Sequence, residues 1–412
     1  MTREFIDFVN AHLKDDTSRL LLSAARYPSI DMGAAVQQIE GLRTAKEKWP
    51  SLLKCIEYEY SPRLNREQSS SEWTARHKAK VAEELCRGKE RIAIADLTGG
   101  MGIDSIAFAQ MQQGNGGMET VVAYVERNAD LCRLMERNAK SLGLDNIEVH
   151  EGNSIEWLAL EKRMYDIIYI DPARRSAQGR KVSAFEDCEP NILEHFQLLR
   201  SKSQWVMVKA SPMIDLKMAL GQLGEVAAVY IVSVKGECKE VVFVCGAHEG
   251  ETMIHCIMKG GDGCDEWSFT PSEEANAQPQ YCTTIGQYLY EPDAALMKCG
   301  AFNLIGQRMG IKKLARNTHL YTSDHCCQPF CGRTFYVLRE LKVSRKEVTK
   351  IIPEGKAHVV TRNYPVEAAA LQRQLGLQEG GELYVVATTV GGRKTAFLCC
   401  LPTQIESFLD RK

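Results

Sequence analysis

Ile92-Ala-Ile-Ala-Asp96-Leu-Thr98-Gly-Gly100-Met-Gly102-Ile-Asp104 is an apolar run that stops in a cluster of glycines and then turns amphipathic. Such a stretch reads as a buried strand, a sharp turn and the start of a helix. Glycines suit the turn because the backbone must bend tightly and let a ligand approach with no Cβ in the way. Downstream the pattern repeats. Short apolar strands are expected at residues 91–97, 120–126, 147–150, 165–171 and 204–209, with helices at 103–112, 128–142, 154–160, 191–199 and 214–220. Strands alternating with helices predict a parallel sheet covered on both faces. Two further β-rich runs, 226–234 and 240–245, follow almost directly on one another and fit an antiparallel finish to that sheet.

The ends of these strands carry the chemistry. Glu126, in Tyr-Val-Glu-Arg-Asn, lies 24 residues past Gly102 at the end of the second strand, where a carboxylate can accept from both hydroxyls of a ribose. Asn153, in His-Glu-Gly-Asn-Ser, follows the third strand with an amide suited to an adenine edge. The fourth strand ends in Tyr-Ile-Asp171-Pro172-Ala-Arg174-Arg175. All these positions fall at carboxyl ends of consecutive strands, where open α/β sheets bind ligands. A glycine turn and an acid also fit a nicotinamide-dependent oxidoreductase. The turn, however, begins with Asp96 and departs from G-x-G-x-x-G, and Asp-Pro after strand four is no feature of dehydrogenases.

Asp96 to Asp104, Glu126, Asn153 and Asp171 to Arg175 resemble the motifs of class I S-adenosylmethionine-dependent methyltransferases that modify nucleic acids. The whole layout is similar to a bacterial family that carries a ferredoxin-like and a THUMP-like domain. The fold this implies is α/β: a Rossmann-like class I methyltransferase sheet, an N-terminal helical region and two small C-terminal α/β modules. By that resemblance Asp96, Thr98, Gly100 and Gly102 shape the methionine end of an S-adenosylmethionine site, Glu126 holds the ribose, Asn153 the adenine, and Asp171-Pro172 the target group. Two departures narrow the chemistry. Thr98 stands where many relatives have a first glycine, and Asp-Pro-Ala-Arg lacks the aromatic that stacks on a flipped base in amino-group methyltransferases. Asp-Pro-x-Arg is closer to RNA uridine C5-methyltransferases, but those need a cysteine after strand five, and here that strand ends Val206-Met-Val-Lys209-Ala-Ser-Pro212.

The rest of the 412 residues sets the context. Residues 1–90 read as helical, with periodic segments at 3–13, 17–25, 34–48 and 72–85 and a polar break at 67–71. The expected domains are 1–90, a catalytic domain at 91–270, a linker at 271–280, a ferredoxin-like module at 281–334 and a THUMP-like domain at 335–412. Residues 91–280 carry 18 Lys and Arg against 28 Asp and Glu, whereas residues 281–412 carry 18 against 11. A basic tail beside an acidic middle is what an appended RNA-holding module looks like, and equally a moderately basic solvated surface. Arg308, Lys312, Lys313 and Arg316 are the candidates for RNA backbone contact, the alternative being the solvated face of a helix. Arg174 and Arg175 suit phosphate at the site mouth, or an ion pair with the acidic loop at 186–189. His325-Cys-Cys-Gln-Pro-Phe-Cys331 lacks the second pair a zinc site needs, so the 15 cysteines are expected as scattered reduced thiols and no metal is called for. No secretory or membrane-spanning signal stands out, which points to the cytoplasm. The reading is a methyltransferase acting on a base of structured RNA, tRNA or rRNA. Its rivals are a methyltransferase for protein or a small molecule, and a catalytically silent RNA-binding protein.

Overall fold

The computed structural model describes residues 1–113, 119–174, 185–260 and 266–406. Its contacts divide the chain into two units, Met1–Ala227 with Val242–His248, and Ala228–Val241 with Glu249–Lys412.

The first unit opens with helices α1 (Arg3–Ala11), α2 (Thr17–Leu22), α3 (Met32–Lys48), α4 (Arg63–Gln68) and α5 (Glu72–Leu85). It continues as β1 (Arg91–Asp96), α6 (Ile103–Ala109), β2 (Glu119–Glu126), α7 (Ala129–Leu142), β3 (Ile147–Glu151), α8 (Ser154–Leu160) and β4 (Tyr165–Ile170). A two-stranded ribbon of β5 (Ala173–Arg174) and β6 (Cys188–Glu189) precedes α9 (Ile192–Lys202), β7 (Ser203–Ala210) and α10 (Leu216–Leu223). The five long strands pair in parallel in the order β7-β4-β1-β2-β3. Their composition explains this. β4 is Tyr-Asp-Ile-Ile-Tyr-Ile, buried at all but Asp166, and a strand covered on both faces reads as a continuous apolar run rather than an alternation. Side chains cap the covering helices at their N-termini: Asn128 begins α7, Asn153 α8, Asn191 α9 and Asp215 α10. The helical head has a core of its own around Val9, Leu20, Met32, Ala35, Val36 and Ile39, and α5 lies against α6.

The second unit comprises β8 (Val226–Val234), most of β9 (Glu237–Cys245), β10 (Met253–Lys259), β11 (Glu266–Phe269), α11 (Pro271–Asn276), β12 (Tyr288–Pro292), α12 (Ala294–Cys299), α13 (Phe302–Met309), β13 (Lys312–Ala315), β14 (Thr318–Ser323), β15 (Gly332–Leu341), α14 (Arg345–Ile351), β16 (His358–Arg362), α15 (Ala368–Leu375), β17 (Leu383–Val390) and β18 (Arg393–Cys400). A seven-stranded sheet runs β13-β14-β12-β15-β18-β17-β16. Adjacent residues feed opposite faces, as strand pleating requires: Val385 joins the core under α14 and α15, and Val386 joins Leu289, Leu314 and Phe335 on the other side.

The segment expected as a linker is folded. Thr270 and Glu273 form a reciprocal capping box on α11, and the Glu274 carboxylate accepts from the Asn303 and Leu304 N–H groups at the start of α13. Along the chain the two units change over after Ala227, after Val241 and after His248. Thirteen cysteines among the described residues are free, as expected, but Cys331 is disulfide-bonded, which corrects the expectation of reduced thiols throughout. Among the described residues no helix is long and apolar enough to cross a membrane.

Candidate active site

β1 lies between β2 and β4, so the chain leaves β1 in one direction and later returns on its other side. A reversal of this kind leaves a crevice at the carboxyl ends of the two strands. The glycine turn after β1 and Asp171-Pro172 after β4 meet there, because the Asp171 N–H donates to Thr98 Oγ1 at 2.7 Å. A glycine at position 98 would lack that acceptor. The departure noted in the sequence is therefore a tie between the two motifs.

Asp96 is buried and fully used by the turn: Oδ1 accepts from the Thr98 N–H at 3.1 Å and Oδ2 from the Ser105 hydroxyl at 2.6 Å. Burial pushes its carboxyl up to about 7, with the neighbouring Asp104 and Asp171 carboxylates adding to the rise and the two hydrogen bonds opposing it. Gly99 has no room for a side chain, since a Cβ there would stand 2.3 Å from the Tyr124 ring. Gly102 has φ +77° and Gly100 φ +53°, the left-handed region that glycine tolerates best. The Gly100 N–H donates to Glu126 Oε2 at 2.9 Å and its carbonyl accepts from the Tyr124 hydroxyl at 2.7 Å. Glu126 Oε1 takes the Asn128 N–H at 2.8 Å, so the carboxylate at the end of β2 is fixed to the turn it faces.

Asn153 performs a structural task that its motif does not advertise. Its Oδ1 caps α8 by accepting from the Ile155 and Glu156 N–H groups at 2.9 and 3.3 Å. One group at the crevice was not singled out from the sequence. Lys209, at the end of β7, sets its Nζ 2.5 Å from Asp171 Oδ2. Register brings them together, because Ile170 pairs with Val208 and the next residues are Asp171 and Lys209. Beneath the turn, Lys78 of α5 lies 3.2 Å from Asp104 Oδ1, while Asp104 Oδ2 accepts from the Ser70 and Tyr169 hydroxyls at 2.8 and 3.0 Å. Burial raises the Asp104 carboxyl, but Lys78, Lys209 and these hydrogen bonds outweigh it and hold the group below its ordinary value. Helix α5 thus packs on α6 and also contributes a charge beneath the glycine turn.

Arg174 pairs through its backbone with Cys188 in the ribbon. Its side chain and the whole of Arg175 lie outside the described residues; Glu189 of the acidic loop meets Arg127 at 2.9 Å. In the second unit the expected basic surface divides. The stretch from Arg308 to Arg316 spans the end of α13 and all of β13, so it is no single helix face. Lys313 is buried at 2% exposure, its ammonium donating to the Arg316 carbonyl at 2.9 Å, and burial lowers its pKa. It is a structural residue, which corrects the expectation of a backbone contact. Arg308 is engaged too: it donates to the Ser268 carbonyl at 2.8 Å and to Glu273 at 2.6 Å, and its guanidinium lies over the Trp267 ring. Lys312 and Arg316 are exposed. No cluster of His, Cys, Asp or Glu able to hold a metal occurs among the described residues.

Family models match a ferredoxin-like domain at residues 288–330 and a THUMP domain-like module at residues 332–400. The crystal structure of a protein described as a methyltransferase, from Porphyromonas gingivalis W83, superposes with a TM-score of 0.81 at 29% identity, covering 97% of this chain and 98% of the other. Two proteins from Mycobacterium tuberculosis strains, described as uncharacterized S-adenosylmethionine-dependent methyltransferases, are each 26% identical over 244 residues. That match takes in 57% of this chain and 64% of theirs, so the chain spans under two thirds of the length of these curated relatives. In fold and module order, the chain is similar to class I S-adenosylmethionine-dependent methyltransferases and carries a ferredoxin-like and a THUMP-like module.

Proposed function

We propose that this protein is a cytoplasmic methyltransferase that uses S-adenosylmethionine to methylate a nitrogen of a base in structured RNA. One observation carries the reading. The donor-binding turn and the Asp-Pro motif are joined by the Thr98–Asp171 hydrogen bond at the one reversal in strand order of the parallel sheet. The residues present fit the cofactor that the fold implies. A Cβ at Gly100 would find only the Thr98 carbonyl within 4 Å, at 3.7 Å, so the turn offers a bare backbone, and the Glu126 carboxylate stands fixed beside it for a ribose. Gly100 and Gly102 would border the methionine end, Glu126 the ribose, and Asn153 the adenine through its amide nitrogen. When bound, S-adenosylmethionine supplies a methyl group already activated by a sulfonium.

What remains for the protein is alignment of the target and relief of its proton. An exocyclic amine or an N–H-bearing ring nitrogen is a weak nucleophile because its lone pair is delocalised. Asp171 accepts the N–H of the target, which sharpens the lone pair, while the Asp171 backbone stays tied to Thr98. The THUMP-like module supports RNA as the acceptor, and the exposed Lys312 and Arg316, together with Arg174 and Arg175, are candidates for phosphate contact. The test is mass spectrometry of nucleosides from tRNA and rRNA of cells with and without the gene. A single methylated nucleoside should vanish on deletion and return with the wild-type gene but not with Asp171→Asn. Unchanged RNA, with methylation lost instead from a protein or a metabolite, would remove the RNA assignment and leave the enzyme.

A further inference from the structure

We infer that Lys209 is a positioning residue: its ammonium holds Asp171 Oδ2 so that Oδ1 remains the acceptor for the target. This rests on the reading of Asp171 as the group that receives the target N–H. Three features on neighbouring elements support it. The ammonium is 2.5 Å from Oδ2, and the Asp171 backbone is fixed separately by Thr98, so the residue is held at both ends. The two partners differ in access: the lysine side chain is 12% exposed and the aspartate 35%. The sheltered member is the cation, and the open member is the one a substrate can reach. Finally, the pair is set by strand register at the carboxyl ends of β4 and β7, which are rigid elements, and not by a loop. A sheltered ion pair contributes little stability relative to apolar packing, and beyond helping to keep the buried Asp104 charged, the ammonium is set directly on Asp171. Held this way, the carboxylate cannot rotate both oxygens toward the target, and one oriented acceptor selects one direction for the N–H it receives.

The test uses the full-length protein with tritiated S-adenosylmethionine, and as acceptor a clarified lysate of cells lacking the gene, which contains RNA, proteins and metabolites alike. Lys209→Met should lower the limiting rate of labelling by roughly tenfold to a hundredfold, as loss of a partner that orients a reactive group does. The lysate concentration for half-saturation and the affinity for S-adenosylhomocysteine should stay within about twofold, since neither depends on that orientation. Lys209→Arg, which keeps the charge on a differently shaped head, should fall between the two. In an Asp171→Asn background, Lys209→Met should change the rate by less than about twofold, because the lysine acts through the aspartate. An additive loss in the double variant, or an unimpaired Lys209→Met beside an impaired Asp171→Asn, overturns the positioning role alone. A fully active Asp171→Asn, or a wild type that labels nothing, overturns the reading beneath it. Should Lys209→Met fail to fold, Lys209→Gln replaces it with the same expected losses.

Discussion

Two sheet ends in this molecule each set a carboxylate against cations, and they differ in what surrounds the pair. At the first, Asp171 meets Lys209 beside a turn of three glycines, and the carboxylate is left one-third exposed. At the second, Glu291 of β12 is 3% exposed and is gripped from both sides, by Arg333 Nε at 2.7 Å and Arg362 Nη2 at 2.5 Å. Here the arginines are the open members and the carboxylate is sealed. A reactive acceptor needs the first arrangement, and a clasp that ties β12 to β15 and β16 needs the second. Burial of the acid, more than the presence of an ion pair, separates a site from a fastener.

The sharpest way to break this comparison is to neutralise each acid. Asp171→Asn should cut methyl transfer by at least about a hundredfold while S-adenosylhomocysteine binding, read by calorimetry, stays near wild type. Glu291→Gln should do the opposite. It leaves two arginines facing a neutral group, and at about half exposure each the loss is about 2 kcal/mol of stability, visible in thermal unfolding with transfer per folded molecule unchanged. Glu126→Ala removes the partner of the Gly100 N–H and the proposed ribose acceptor, and should weaken S-adenosylhomocysteine about tenfold or more.

A pH experiment sharpens the same contrast at the buried end of the site. The Asp96 carboxyl is pushed up to about 7 in the fold from an ordinary value of 3.8, so between these limits the folded chain holds a proton that the unfolded chain has released. Stability from this group is therefore present at low pH and is lost as pH rises through that window. Asp96→Asn should flatten this part of the stability profile, followed by chemical denaturation at pH 4, 5.5 and 7.5. The smallest effect belongs to the surface. Replacing both Lys312 and Arg316 by alanine should reduce the salt slope of RNA binding by about two, measured by filter binding, whereas Arg308→Ala should leave the slope unchanged.

Much of the first unit could be read from the chain because its signals are local. Apolar runs become parallel strands, and an asparagine or aspartate opens α7, α8, α9 and α10, so the strands at 91–96, 119–126 and 165–170 formed within a residue or two of their expected limits. What escaped was set by pairing across elements. Lys209 looks like any lysine after a strand until the β4–β7 register sets it opposite Asp171. Lys312 and Lys313 are alike in sequence, yet the two-residue period of β13 sends one to solvent and the other inward. Residues 271–280 looked like a polar linker, although Thr270-Pro-x-Glu273 is a visible capping signal with proline at the first helical position. Short helices such as α4, six residues long, carry too little periodicity to stand out.

Lys78 has a consequence for anyone who would trim the chain. It is fully buried, and with Ser70 it supplies the counter-charge and a hydrogen bond for Asp104 just past the glycine turn. A fragment starting at Arg91 would look like a self-sufficient nucleotide-binding domain on paper, yet Asp104 would lose the Lys78 ion pair and the Ser70 hydrogen bond, and the face of α6 that α5 covers would open to water. The segment from Ser70 through α5 thus belongs with the domain it precedes, and a fragment meant to keep this corner of the site has to begin upstream of Ser70.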